Sequence, residues 1–399
     1  MEASRRQWII GSLAITGWFV WAFFHLLPPH AVLHGGIFHH YWPWSYEHLA
    51  YTDIFALYQN HQLYNHALPY ITTPIEYPVL MGILMWIAAL AGSPIGYYLV
   101  TALFIWVAAL FTYRWLVEWA PKVAWAFALT PMLFTFGLLN WDVIGIFLMM
   151  LAIRLFDRKR YDGASVVFAA AVFFKLFPIF YLPFIALRLW QQKDRKLLGR
   201  MVAIFVGTSL VINLPFALSN WANWSLFFRY NAGRSVSTDI WNNVWIQISS
   251  VPVVDAISLM MVLLTLLFTA RYVWRGGSLY HAAALLFAIF LLVNKVFSPQ
   301  YMLWLLAFGA IAEWPLWTMG LLSVGGVTDY VNSMAILHLY NAESRSANWY
   351  ADTIYPLGLL LRYLAVVISP IGAMAMRRQT KKSHGADRGA LERRGAQAP

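Results

Sequence analysis

Apolar stretches long enough to cross a bilayer, at roughly 20 residues each, recur through most of this 399-residue chain. A chain built this way folds in lipid, where every backbone polar group must be satisfied within the protein, so helices or a closed barrel are the options. Long unbroken apolar runs, rather than alternating ones, select helices. Only 11% of residues are charged, less than half of the ~25% common in soluble domains, and mean hydropathy is +0.60. The expected class is an all-α polytopic membrane protein. The first run, residues 7–27, lacks a small-residue cleavage site and reads as a retained anchor.

The net charge of +11 invites a nucleic-acid reading, but its placement argues against one. Basic residues cluster between apolar runs, at 154–160, 188–200 and 271–275, with a final group at 377–394. These are loop anchors near anionic head groups and mark the cytoplasmic side. With no cysteine, disulfides and thiolate metal sites are excluded.

Threading the chain by these clusters places both termini in the cytoplasm of a cell (plasma) membrane protein. Between Arg6 and Arg114 there is no lysine or arginine, so a long polar loop, residues 28–78, should face outward. Residues 78–92 hold too few apolar residues to span and are expected to be re-entrant or to lie on the outer face. The remaining runs give a bundle of about 12 transmembrane helices in a single domain, residues 1–376. Residues 123–139 are expected to form one span. Further outer loops are expected at 220–250 and 331–355, and a basic, disordered cytoplasmic tail at 377–399. No internal repeat is visible, which argues mildly against a transporter.

The first outer loop carries the most informative acids. Thr52 can cap a helix whose first turn holds Asp53, and helical spacing then puts Asp53, Leu57 and Asn60 on one face. Asp53 is either a solvated capping acid or a general base held against an apolar face. Glu76, in Pro74-Ile75-Glu76-Tyr77-Pro78, is an interfacial charge, a ligand for sugar hydroxyls or a second acid. Eight of eleven histidines lie between His25 and His66, yet no ligand spacing with carboxylates emerges, so no metal or other cofactor is indicated.

Asp142 sits at an expected outer turn with Asn140 and Trp141 and is either a helix cap or an acceptor contact. Lys175 and Lys295 break the positive-inside pattern at outer ends of apolar runs. Each needs an anionic partner, either a carboxylate such as Asp142 or the phosphate of a ligand. Arg229 and Arg234 add two outer cations, and together the four suit a phosphate-bearing lipid.

Several segments, taken in order, resemble glycosyltransferase family 87 and its relatives in the GT-C class of membrane glycosyltransferases. They are Asp53 to Tyr58, Glu76-Tyr77-Pro78, Leu139-Asn140-Trp141-Asp142, Lys175-Leu176-Phe177-Pro178 and Ser298-Pro299-Gln300-Tyr301. The resemblance implies a GT-C-like bundle that transfers a hexose, mannose by preference, from a polyprenyl-phosphate donor. The acceptor would be a glycolipid or polysaccharide on the outer face, and the anomeric centre would invert. It implies Asp53 as the base and Lys175, Lys295, Arg229 and Arg234 as donor-phosphate ligands. Glu76, Tyr77, Tyr58, Asn140, Asp142, Gln300 and Tyr301 would contact substrate. The rival reading is a transporter or flippase for a lipid-linked sugar.

Overall fold

The computed structural model describes residues 2–34, 37–237, 241–242 and 245–395. Helix α1 (Glu2–His25) leads into the first polar segment. That segment is not an open loop. It holds an antiparallel pair of two-residue strands, β1 (Leu33–His34) and β2 (Ile37–Phe38). Two short helices follow, α2 (Tyr41–Glu47) and α3 (Asp53–Asn60), then a 3-10 turn at Leu63–Asn65.

Next come α4 (Val79–Ala89), α5 (Pro94–Trp119), α6 (Pro121–Leu129), α7 (Met132–Phe136), α8 (Asp142–Asp157) and α9 (Tyr161–Val172). A 3-10 turn at Phe177–Tyr181 precedes α10 (Leu182–Gln191) and α11 (Arg195–Ser219). The second polar segment contains α12 (Trp221–Trp224) and α13 (Leu226–Gly233). The chain closes with α14 (Val251–Trp274), α15 (Leu279–Val293), α16 (Tyr301–Ile311), α17 (Leu316–Asn341) and α18 (Ala347–Gly395).

The core is centred on α16, in which every residue after Tyr301 is buried. A helix that is apolar all round belongs either in a core or in lipid. α16 takes the first environment, packed among α6, α8, α15 and α17. α11 and α14 take the second. Val211 and Leu218 are 75% and 77% exposed and Leu267 is 69% exposed, which in water would be an aggregation liability and in a bilayer is a lipid-facing wall.

Among the described residues, five helices are long and apolar enough to cross a membrane: Ser4–His25, Pro94–Trp119, Arg195–Ser219, Val251–Trp274 and Ala347–Met376. The expected bundle of about twelve spans counts each apolar run as one crossing. Local chemistry shortens several of those runs. Residues 123–139 are broken at Thr130-Pro131 into α6 and α7, because proline removes a helical donor and restricts the residue before it. α4, α9, α15 and α16 are apolar but short, at 11, 12, 15 and 11 residues. α4 occupies the segment expected to be re-entrant; 11 residues rise only about 16 Å.

The third outer loop expected at 331–355 is mostly helix, since α17 runs to Asn341 and α18 starts at Ala347. Only residues 342–346 connect the two helices, and Asn332 binds Tyr355 O and Tyr350 Oη across the pair. In the second polar segment, residues 238–240 and 243–244 lie outside the described residues. The basic tail expected to be disordered continues α18 to Gly395, and its side chains from residue 377 on are outside the described residues.

Candidate active site

Three backbone junctions bring distant segments together. Thr52 caps α3, its Oγ1 accepting from the Ile54 amide at 3.1 Å. The same hydroxyl donates to the carbonyls of Leu138 (2.6 Å) and Leu139 (3.1 Å), and the Asp53 amide donates to Leu139 O at 2.8 Å. The start of α3 is thereby hooked onto the backbone just before Asn140-Trp141-Asp142. Tyr70 Oη donates to Tyr77 O and Pro78 O, which fixes Glu76-Tyr77-Pro78. The Leu80 amide donates to Phe173 O, which brings the start of α4 beside Lys175.

Asp53 faces a cavity of about 800 Å³, at the large end of the usual range for ligand sites. Its carboxylate is clamped by two phenols: Tyr51 Oη donates to Oδ1 at 2.6 Å and Tyr77 Oη to Oδ2 at 2.9 Å. Asp53 is half-buried, open to the cavity but enclosed by protein on its other sides. Burial pushes its carboxyl pKa above the ordinary value, against the two phenol hydrogen bonds and the nearby Lys175 charge, which favour the carboxylate. Burial also pushes both phenols far up, so they remain protonated donors. Each carboxylate oxygen keeps a lone pair for a further hydrogen bond.

The floor below is a buried ion pair. Lys175 Nζ lies 2.7 Å from Asp142 Oδ1, with Asp142 fully buried and Lys175 only 8% exposed. Three aromatic rings surround the ammonium, with centroids at 5.3 Å (Tyr77), 5.5 Å (Tyr301) and 5.9 Å (Phe177). Asn140 Oδ1 accepts from the Asp142 amide at 2.9 Å and starts α8. Gly145, one turn on, admits the Trp304 ring, since a Cβ there would stand 2.7 Å from it.

Lys295 is also committed: its Nζ donates to Asp255 Oδ2 at 3.0 Å and to Ala232 O at 2.9 Å. Arg234 lines the cavity with its guanidinium 5.8 Å from the Tyr230 ring, and among the described residues it has no carboxylate partner. On another wall, Glu76 lies 2.7 Å from His61 Nε2. Burial opposes the Glu76 charge, but the hydrogen bond and charge of His61 outweigh it and lower the Glu76 pKa.

Of the residues expected at the site, Asp53, Glu76, Tyr77, Lys175, Lys295, Arg234, Gln300 and Tyr301 line this one cavity. Asn140 and Asp142 are buried beneath it. Two lie away from it. Tyr58 points the other way, buried against Tyr97 with ring centroids 4.8 Å apart, because one residue past Leu57 a helix has turned about 100°. Arg229 is bound to Ser225 Oγ (3.1 Å) and Ala222 O (2.7 Å) away from the cavity.

Sequence reasoning missed Tyr51, the second half of the clamp, although an aromatic two residues before an acid was in view. It also missed Asp255, and the fully buried pair Asp329–Arg362, joined at 2.7 Å. Ionisable residues inside apolar runs were the available signal for all three. Among the described residues, no three His, Asp or Glu side chains converge as a metal site would require.

Two comparisons bear on this arrangement. No curated protein matches the chain. Residues 138–238 match the family described as mannosyltransferase (PIG-M), a stretch that includes Asn140, Asp142, Lys175 and Arg234, begins after the first polar segment and ends before α14. Together with the apolar helices, that similarity supports a membrane mannosyltransferase of the GT-C type.

Proposed function

We propose that this protein transfers mannose from a polyprenyl-phosphate carrier to a hydroxyl of a glycolipid or polysaccharide on the outer face of the plasma membrane, inverting the anomeric centre. Assignment to family 87 within the GT-C class rests on the sequence motifs. The observation that carries the proposal is the Asp53 carboxylate, clamped by Tyr51 and Tyr77 and opening onto a cavity whose other walls carry cations.

Each part has a chemical role. Asp53 takes the proton of the acceptor hydroxyl as the oxygen attacks the anomeric carbon, and the clamp holds the carboxylate in position. The sugar–phosphate bond breaks, and its electron pair leaves on the prenyl phosphate. Developing charge on that phosphate is met by Arg234, the cavity cation that has no carboxylate partner among the described residues. Lys175 and Lys295 contribute positive potential from their paired positions. A wall of Leu176, Ile179, Phe180 and Phe290 is apolar, and Ile179 is 45% exposed, which suits a prenyl chain entering from the side. Glu76, steadied by His61, is placed to bind a sugar hydroxyl.

The test is transfer from a short-chain polyprenyl-phosphate mannose in nanodiscs. Asp53→Asn should lose about 10²-fold or more in rate, the usual contribution of a positioned base, while still binding donor. An Asp53→Asn protein that folds and transfers at the parent rate would remove the mechanism. Movement of intact donor between leaflets with no transfer would favour the flippase.

A further inference from the structure

An apolar groove of about 140 Å³ runs along α10 between α9 and α11, leading away from the Asp53 cavity. α10 starts just past the cavity wall at Ile179 and Phe180, and its ten residues rise about 15 Å. Leu182, Ile185 and Leu189 of α10 and Leu198, Met201 and Phe205 of α11 line the groove, each set spaced three and then four residues apart on one helical face. The one polar side chain in the lining, Ser165, is turned onto its own helix, Oγ donating to Tyr161 O at 3.0 Å. Val202, 51% exposed, leaves the groove open along the side of the bundle. An apolar cavity of about 150 Å³ stays dry and accepts a benzene-sized guest, so a groove of this size takes a short length of hydrocarbon chain.

One end of the groove is strongly basic. Leu189 and Leu198 flank the loop between α10 and α11, and residues 188–200 carry five cations against one acid. That acid, Asp194, caps α11, its Oδ1 accepting from the Leu197 amide at 3.0 Å. Arg200 pairs with Asp162, which brings the basic turn Arg158-Lys159-Arg160 to the same place. Arg195 lies 4.7 Å from the Trp190 ring, and Arg188 donates to Gly277 O. Lys193 and Lys196 are exposed, and among the described residues neither has a carboxylate partner.

A neutral lipid would fill the groove and leave these lysines unmatched. A soluble anion would meet the lysines and leave the groove unfilled. A lipid with an anionic head group satisfies both. We infer that one anionic glycerophospholipid binds here, an acyl chain lying between α10 and α11 and its phosphate at Lys193 and Lys196. The site is on the side that the basic clusters mark as cytoplasmic, and it does not depend on the chemistry proposed for Asp53.

Native mass spectrometry of the full-length protein, incubated in mild detergent with equal amounts of dioleoyl phosphatidylglycerol and dioleoyl phosphatidylcholine, tests this. The parent should retain phosphatidylglycerol in preference. Lys193→Ala with Lys196→Ala should cut that preference about 25-fold, about fivefold for each surface lysine. Arg5→Ala with Arg6→Ala removes two exposed charges from α1, which packs on α5, α6 and α7, and should leave the preference unchanged. An excess of glycerophosphoglycerol, the head group without its chains, should not displace the lipid. Equal retention of both lipids by the parent overturns the inference. So does a preference that survives the lysine variant, falls as far in the arginine variant, or is abolished by the chain-free head group. Displacement of phosphatidylglycerol by an equal amount of polyprenyl phosphate would also overturn it, since the groove would then belong to the carrier.

Discussion

Asp53 sits between opposing influences, and its chemistry depends on which prevails. Burial raises its pKa; Tyr51, Tyr77 and Lys175 pull it down, and burial prevails. Because the carboxylate is the active form of a base, kcat/KM should climb with pH through that raised pKa. Tyr77→Phe removes a hydrogen bond that favours the charged form, so the acid limb of the pH–rate profile should move to higher pH. An unmoved limb would mean that another group sets it.

The same shift has a stability consequence. A carboxyl whose pKa is raised on folding stabilises the fold fully below its unfolded pKa, and that contribution is lost as pH rises through the folded value. At neutral pH the Asp53 carboxylate is therefore a net liability, and Asp53→Asn should melt at a higher temperature than the parent. Glu76 has the opposite sign: its pKa is lowered, so its contribution is present above the unfolded value and lost as pH falls through the folded one.

The cations also separate at this scale. Lys175→Ala leaves Asp142 fully buried without its ion-pair partner and should cost about 3–5 kcal/mol, making it a folding mutation before a kinetic one. Arg234→Ala breaks no ion pair among the described residues and should leave the melting temperature near that of the parent. Its donor KM should rise about 10- to 100-fold, the range of a lost charge-assisted bond.

Among the elements, α3 shows how a short helix can hold a catalytic group. Eight residues are too few to be stable alone, so α3 depends on its cap and its docking. Thr52 supplies both, satisfying the Ile54 amide and two carbonyls at 138–139. Thr52→Ala should destabilise the protein by about 1–3 kcal/mol and lower transfer even at temperatures where it stays folded, measured by thermal unfolding and assay side by side. Thr52→Ser keeps the hydroxyl and should restore most of both.

That face of α3 was legible in the residues, because a cap and a helical period fix which side chains point together: Asp53, Leu57 and Asn60 all line the cavity. Tyr58 entered the expected site through family resemblance, and the same period turns it away from the cavity, toward α5. The break at Thr130-Pro131 was also in view, but hydropathy alone ran over it.

For the whole molecule, the decisive quantity is how many apolar runs cross. Among the described residues five helices meet the length and composition of a span, and α4 does not. If α4 stays on the outer side, a cysteine introduced at Ser93, the cap of α5, should react with an impermeant maleimide from outside in intact cells. Labelling only after the cytoplasmic face is opened would mean that α4 crosses and would invert every later loop.

The amino-acid sequence by itself determined the class and the inventory. Apolar runs demand a helical membrane protein, and acids and cations stranded among them must be partnered or functional, since charge in hydrocarbon is costly. It could not say which partner each took. Lys175 had Asp142 or a ligand phosphate open to it, and the fold chose Asp142; Lys295 took Asp255, 40 residues away and unforeseen. Pairing of this kind is set by which helix ends meet, and that depends on packing among all the helices rather than on any local pattern. For the same reason Arg234 emerges as the cavity-lining cation without a carboxylate partner among the described residues only when the other pairs are in place.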